Sequence, residues 1–325
     1  MYARSVFCSL LFLSMWYNED KGEKRSVQMK KILVVYNPFA GKNSRRKKEV
    51  DIRETLSRDG NEVTFYTTKC RGDATDVAEK AEGFDVIAVV GGDGTLNEVL
   101  NGLLKKEKEK RPDILYIPSG TTNQTAMAFG LPTKLDDCAN LLTTGEAKPY
   151  DLGAFNGRLF IDVCSFGYGT EGSLTTSQKL KNKFGFTAFY LNQIKYLFNI
   201  KPVSMKVSSE TETIEGNFVF GNLLNTSMIS TFVRMEDKNV FMNDGYLDFV
   251  LVRKLKNFFY LLPTFVKLLK KKFDGKNLIL LHGKEFTIER EGEMTWLIDG
   301  ERASSEGRIN VVNLPSCFRL YVPSK

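Results

Sequence analysis

Residues 89–102 read VVGGDGTLNEVLNG: an apolar run stops at three glycines set around one carboxylate, Asp93, and a helical pattern begins at once. Few architectures accommodate such a stretch. The preceding DVIAVV, residues 85–90, is apolar without alternation, as in a strand covered on both faces. Leu96, Val99, Leu100, Leu103 and Leu104 then recur at helical spacing. Thr95 with Glu98 three positions on matches a capping box. Glycines admit positive φ and let a bulky anion approach the backbone. The unpaired N–H groups and partial positive charge at a helix start favour a phosphate. A carboxylate there suits Mg²⁺ binding, orientation of a nucleophile, or a ribose contact. A tight turn without ligand is the alternative for any one such loop.

Two more loops of this kind weigh against that alternative. YNPFAGK, residues 36–42, follows the apolar run KILVVY, and IPSGTTNQ, residues 117–124, follows RPDILY. Open parallel sheets bind ligands at the carboxyl ends of their strands, and all three loops leave that edge. Neither a Walker-type nor a dinucleotide-type glycine motif is present, so the phosphate cradle is of another kind.

The rest of the chain divides by texture. From Lys31 to about Pro149, short β-branched runs alternate with helical ones, which predicts a parallel sheet with helices on both faces. Beyond Asp151 come a hairpin turning at Asn156-Gly157, a long helix over about Ser177–Asn199, and many short strands. These predict an antiparallel sandwich or barrel-like domain, with the boundary near residues 145–151. Two readings fit residues 1–29: an over-called start ahead of Met29, or an N-terminal anchor.

Composition narrows the chemistry. His282 is the sole histidine, and the five cysteines (Cys8, Cys70, Cys138, Cys164, Cys317) include no Cys-x-x-Cys pair. This disfavours zinc sites and histidine-dependent hydrolases. His282, at a strand end, reads as structural. Lys and Arg exceed Asp and Glu by 46 − 39 = 7, which permits attraction to nucleotide phosphates or anionic lipid, or simply a solvated surface. No motif supports nucleic-acid binding. No apolar run is long enough to cross a bilayer.

NPFAG, GGDGTLNEVLNG, PSGTTN, NDGYLD and DGE occur in the order found in the diacylglycerol kinase catalytic family, which the chain resembles over about residues 30–325. It looks most like the soluble bacterial lipid kinases, relatives of sphingosine and ceramide kinases. GGDGT alone is less specific, because NAD kinases and phosphofructokinases share similar loops. The segment SFGYGTEGSLTTSQKLKNKFGFTAFYLNQIKYL, residues 165–197, resembles the lipid branch.

The resemblance implies an α/β N-terminal domain of the NAD kinase/phosphofructokinase type over residues 30–148 and a mainly antiparallel β-sandwich over 149–325, whose last strand can return to the first domain. It implies an ATP-dependent kinase acting on a lipid hydroxyl, with diacylglycerol giving phosphatidic acid as the leading expectation. The nucleotide would lie against Asn37, Pro38, Phe39, Ala40, Gly41, Thr67, Thr68, Gly91, Gly92, Asp93, Gly94, Thr95, Leu96, Asn97 and Thr121. Asp244 and the Tyr246 carbonyl would hold a structural Mg²⁺. Glu301 would be the general base, with Asp93 holding Mg²⁺ or orienting the reacting groups and Lys42 a candidate cation. The family usually has Asp where this chain has Gln124, and FGYGTE (residues 166–171) also departs from the lipid kinases that carry an aspartate there; the first change puts turnover in doubt more than nucleotide binding.

The alternatives are a kinase of a soluble substrate, akin to NAD kinases, and a catalytically weak nucleotide- or lipid-binding regulator. The expected setting is cytoplasmic, peripheral at the inner face of the membrane. Lys267, Lys270, Lys271 and Lys272 would meet anionic lipid, and the aromatic run 184–198 would line a lipid cleft or pack in the core. An open sheet edge would allow a homodimer.

Overall fold

The computed structural model describes residues 29–41, 49–121, 123–167, 202–225, 228–230, 233–234, 243–255, 260–270 and 272–324. The expected helix over Ser177–Asn199, the aromatic run 184–198, Lys42 and Lys271 lie outside them.

Four apolar runs form the parallel part: β1 (Lys31–Tyr36), β2 (Glu62–Thr67), β3 (Val86–Gly91) and β4 (Asp113–Pro118). They lie in the order β4-β3-β1-β2, every pair parallel. Helices α1 (Glu49–Leu56), α2 (Asp73–Lys80) and α3 (Asp93–Leu104) occupy the connections; α4 (Gln124–Phe129) and α5 (Leu135–Thr144) follow β4. β3 is buried along its whole length, as its unbroken apolar sequence requires, whereas β2 at the edge is not. Tyr36 pairs with Thr67 and Val90, and Gly91 with Pro118, so all four strands end level. Their following loops therefore share one edge.

β5 (Gly145–Phe155) and β6 (Arg158–Phe160) form a hairpin whose turn residues, Asn156 and Gly157, have φ of 46° and 81°. That is the twist-compatible turn that Asn-Gly encodes. β7 (Val163–Gly167), β8 (Val203–Ser208), β9 (Thr213–Leu224), the short pair β10 (Met228–Ser230) and β11 (Val233–Arg234), β12 (Leu247–Arg253), α6 (Leu261–Leu269), β13 (Leu278–Gly283), β14 (Glu285–Ile298) and β15 (Glu301–Pro323) complete the described elements. Pairing among these strands is antiparallel.

The sequence pattern predicts separate strands in EFTIERE, MTWLIDG, INVVN and FRLYVP and a single strand in RLFIDVCSF, and the structure differs on both points. EFTIERE and MTWLIDG form one strand, β14, and INVVN and FRLYVP belong to one strand, β15. The turn-like residues between them sit at irregularities inside continuous strands: Gly292 and Gly307 (φ 74° and 71°) where the β14–β15 register shifts, Ser316 (φ 50°) where β15 shifts against β5. Conversely, RLFIDVCSF splits into β6 and β7, because Asp299 captures the N–H groups of Ile161, Asp162 and Val163.

Hydrogen bonding joins the main body into one thirteen-stranded sheet rather than two separate ones. β15 is the link: it pairs antiparallel with β14 and β5, and parallel with β4 at Leu320–Ile114. Two large hydrophobic clusters and a small third one around Leu224, Val250 and Leu278 lie on this frame among the described residues. The first gathers Ile32, Val34, Ile87, Leu96, Leu100 and Leu320; the second gathers Phe160, Phe166, Phe218, Phe249, Trp296 and Ile309. The turn between β14 and β15 thus faces the loop edge of the parallel strands.

Candidate active site

The loops after β1, β3 and β4 touch one another. The Asn37 side-chain amide donates to Thr95 Oγ1 at 2.9 Å, and Ser119 N–H donates to the Gly91 carbonyl at 2.8 Å. A Cβ on Gly120 would sit 2.7 Å from Gly92 Cα; one on Gly41, whose φ is +69°, would sit 2.3 Å from the Ser119 carbonyl oxygen. Only glycine allows three backbones to approach this closely.

The start of α3 corrects one expectation. Gly92, in an extended conformation, is its N-cap, so Asp93 already lies in the helix and Thr95 falls in the first turn. No side-chain cap forms there, and the Thr95 hydroxyl serves Asn37 instead. The start of α3 still reaches the cavity edge through exposed Gly94.

Asp93 is held by hydrogen bonds to the next loop. One carboxylate oxygen accepts from Gln124 N–H at 3.0 Å; the other accepts from Thr125 N–H at 3.1 Å and the Tyr116 hydroxyl at 3.4 Å. Burial, reinforced by Asp93 itself, pushes the Tyr116 hydroxyl up and keeps it a donor. Asp93 is therefore a tie between the loop after β3 and the loop after β4, and it lines the cavity described next as well. Gln124 takes part through its backbone N–H, a contact that a change of side chain leaves in place.

These loops line a cavity of about 480 Å³ together with Thr68, Cys70, Arg71, Arg158, Leu159, Ile298, Asp299 and Glu301. Of the expected nucleotide contacts, Asn37, Phe39, Ala40, Gly41, Thr68, Gly92, Asp93, Gly94, Thr95 and Asn97 line it; Pro38, Thr67, Gly91, Leu96 and Thr121 do not. Leu96 is fully buried in the first hydrophobic cluster, because the face of α3 that packs on the sheet cannot also face a ligand. Thr67 ends β2 and is exposed; its neighbour Thr68 is the one turned inward, donating to the Tyr36 carbonyl.

Glu301 comes from the opposite side. Asp299 and Gly300, with φ of 46° and 83°, close the β14–β15 hairpin, and Glu301 is the first residue after it. Arg71 Nη2 donates to both Glu301 carboxylate oxygens at 2.8 and 2.7 Å, and Arg158 Nη2 to one of them at 2.7 Å. Neither arginine was among the residues singled out from sequence. Arg71 lies 230 positions from Glu301 and Arg158 lies 143, so no local pattern marks them.

Behind Glu301, Asp299 accepts from the backbone N–H groups of Ile161, Asp162 and Val163 and from the Asn97 amide, 2.7–3.2 Å. Asp162, 3% exposed, has one oxygen bonded by the Thr125 hydroxyl and the other without a partner. Burial, then the charges of Asp299 and Asp93, push its carboxyl well up. Burial pushes the Asp299 carboxyl up too, opposed by its four N–H donors.

Asp244 and Tyr246 lie elsewhere, outside the cavity lining. Asp244 Oδ1 accepts from Tyr246 N–H at 2.9 Å, and the Tyr246 carbonyl accepts from the Asn313 amide at 3.2 Å. The turn is tied down through Gly245 N–H to Asp151. Partial burial pushes the Asp244 carboxyl up, and Asp248 and Asp151 add to this. The donors are oxygens and the local charge is negative, which fits a hard cation that keeps several of its waters. Among the described residues no cluster of three or more His, Cys, Asp or Glu forms a fuller ligand set. His282 is structural: its Nδ1 is 2.8 Å from Asp248, its partner across β12–β13, and its ring stacks on Tyr246.

Comparison with known proteins accords with this geometry. The diacylglycerol kinase catalytic domain matches residues 31–155. A diacylglycerol kinase of Staphylococcus saprophyticus is 32% identical over 227 residues, covering 69% of this chain and 73% of that protein. The chain belongs to the diacylglycerol kinase family. A second diacylglycerol kinase, from Bacillus subtilis, is 29% identical over 276 residues, 84% of this chain and 90% of the relative. Among solved structures, a diacylglycerol kinase of Bacillus anthracis aligns with a TM-score of 0.69 at 25% identity, covering 91% of this chain and 97% of that one. A putative diacylglycerol kinase from the same organism gives 0.72 at 28%, covering 91% and 98%. Membership of the diacylglycerol kinase family makes the chain an enzyme of the lipid kinase class. Among the described residues no helix is long and apolar enough to cross a membrane.

Proposed function

We propose that the protein transfers the γ-phosphoryl group of ATP to the hydroxyl of diacylglycerol, giving phosphatidic acid. The observation that supports this most directly is the cavity in which phosphate-type loops and the Glu301 carboxylate meet. The triphosphate would rest on the loops after β1, β3 and β4 and on the start of α3, where backbone N–H groups and the helix dipole offset its charge.

A lipid hydroxyl is a poor nucleophile. Glu301 accepts its proton as the oxygen attacks phosphorus and the bond to ADP breaks. Asn37, Gly92 and Gly120 fix the loops against each other, so the phosphates meet a preformed cradle. Asp244 and the Tyr246 carbonyl would hold Mg²⁺ as a local electrostatic clamp on their turn, away from the reacting groups.

Access to lipid would come from peripheral contact with an anionic membrane surface at the cytoplasmic face. Lys270 and Lys272 are exposed beyond α6, whereas Lys267 is engaged by Asp274 at 2.8 Å and has less charge to offer.

Labelled ATP, extracted membrane lipids and the purified protein test the proposal. Label should enter an organic-soluble product that co-migrates with phosphatidic acid, and the Glu301→Gln variant should bind ATP yet lose transfer by at least ~100-fold. Label in NADP alone would point to a soluble substrate, and nucleotide binding without any product to a regulator.

A further inference from the structure

Arg71 and Arg158 are the only cationic side chains among the described residues lining the cavity, against four acids, Asp93, Glu98, Asp299 and Glu301. Asp93 and Asp299 are occupied by backbone N–H groups, whereas both arginines are spent on Glu301. An incoming triphosphate therefore competes with Glu301 for the same guanidinium groups. Arginine pairs with phosphate oxygens at least as well as with a carboxylate, and exposed ion pairs of this kind are weak.

The two arginines are not equivalent. Arg158 opens β6, is paired across the hairpin with Phe155, and has a side chain 40% exposed. The Arg71 side chain is 78% exposed and makes both contacts through a single nitrogen. It stands in the loop that leaves β2 at the same edge as the phosphate loops, between Cys70, which lines the cavity, and Gly72, the N-cap of α2. The backbone around it is held: Lys69 N–H donates to Asp73 at 2.6 Å, so only the side chain has to swing.

We infer that Arg71 is a phosphate-binding residue that exchanges partners. Without nucleotide it latches Glu301; with ATP bound it moves to the phosphate chain, and Arg158 alone keeps the carboxylate oriented. The exchange frees the Glu301 carboxylate oxygens that Arg71 otherwise occupies, leaving one of them open to the substrate hydroxyl only when the phosphoryl donor is in place. It also brings a positive charge to the transferring group. The inference rests on the nucleotide site proposed above and adds its dependence on Arg71.

The test is calorimetric titration of the full-length protein with ATP and with AMP, at low salt and without lipid. The forms compared are wild type, R71M, R71K, R158M, E301Q, R71M/E301Q and R158M/E301Q. Breaking the latch by E301Q should tighten ATP binding roughly two- to five-fold, the range of an exposed ion pair. That gain should be smaller in the R71M background and persist in R158M. R71M should weaken ATP about ten-fold and leave AMP unchanged, and R71K should recover part of the loss. An equal gain from E301Q with and without Arg71 would overturn the exchange, as would a gain that depends on Arg158 instead. Failure of the wild type to bind ATP or AMP would remove the nucleotide site itself, a separate failure. Because both arginine side chains are substantially exposed, folding should survive each change; melting curves check this.

Discussion

Replacing Asp93 with asparagine separates two roles for this residue. In the structure its carboxylate accepts two backbone N–H groups at the start of α4 and the hydroxyl of Tyr116. An asparagine keeps the shape but only one acceptor oxygen. Whichever way the amide turns, its NH₂ faces a backbone N–H, either that of Gln124 or that of Thr125. One charge-assisted hydrogen bond is then lost and one part-buried donor is left unmet, each costing on the order of 1–3 kcal/mol, with partial relaxation to be expected. A loss of about 2–4 kcal/mol follows, and at roughly 1.5 °C per kcal/mol for a chain of this length Tm should fall by about 3–6 °C.

The assay is thermal and urea unfolding of D93N beside ATP binding and turnover. Destabilisation should accompany weakened ATP binding, because the loop after β4 loses its hold on the loop after β3. Wild-type stability with lost turnover and a changed Mg²⁺ requirement would refute the argument and return Asp93 to the metal-holding role.

Gly120→Ala forces a methyl to 2.7 Å from Gly92 Cα and 2.8 Å from Asn123 Oδ1, so the loops must part; we expect a cost of about 1–3 kcal/mol and ATP affinity lowered several-fold. Gly92→Ala, whose Cβ would meet Gly120 Cα at 3.2 Å, should be milder, and comparative ATP titration checks that order. Asp162 keeps its proton in the folded state to higher pH than in the unfolded chain, so it subtracts stability as pH rises above the ordinary carboxylate value of about 4 toward its raised folded value. Asp162→Asn should therefore raise Tm at pH 7–8 and lose that advantage towards pH 4; a uniform shift across pH would show that Asp162 is ionised when buried. Lys270→Gln with Lys272→Gln should reduce binding to anionic vesicles at low salt, while Lys267→Gln, already engaged by Asp274, should reduce it less; equal effects would remove the proposed docking face.

What sequence revealed and what it hid follow from the range of each interaction. The phosphate-type loops were legible because their determinants are local: glycines at a strand's end, then a helical stripe, as at Gly91–Leu104. The hairpin at Asn156-Gly157 was legible for the same reason. Gly292, Gly307 and Ser316 misled because a residue suited to positive φ serves equally well at an irregularity within a strand and at its end; only the partner strand decides. Asp93 was legible only in part. Its place inside a glycine loop is local, whereas its bonds to the N–H groups at the start of α4, about thirty positions later, show only in the fold. Arg71 and Arg158 left no sequence signal at all, being ordinary surface-type residues until β15 carries Glu301 to them. The loops supply N–H groups from within one part of the chain, so they can form whether or not the hairpin arrives. The guanidinium–carboxylate set needs β2's loop, β6 and β15 together. The ligand cradle is thus encoded locally, and control of the reacting carboxylate is encoded only in the assembled fold.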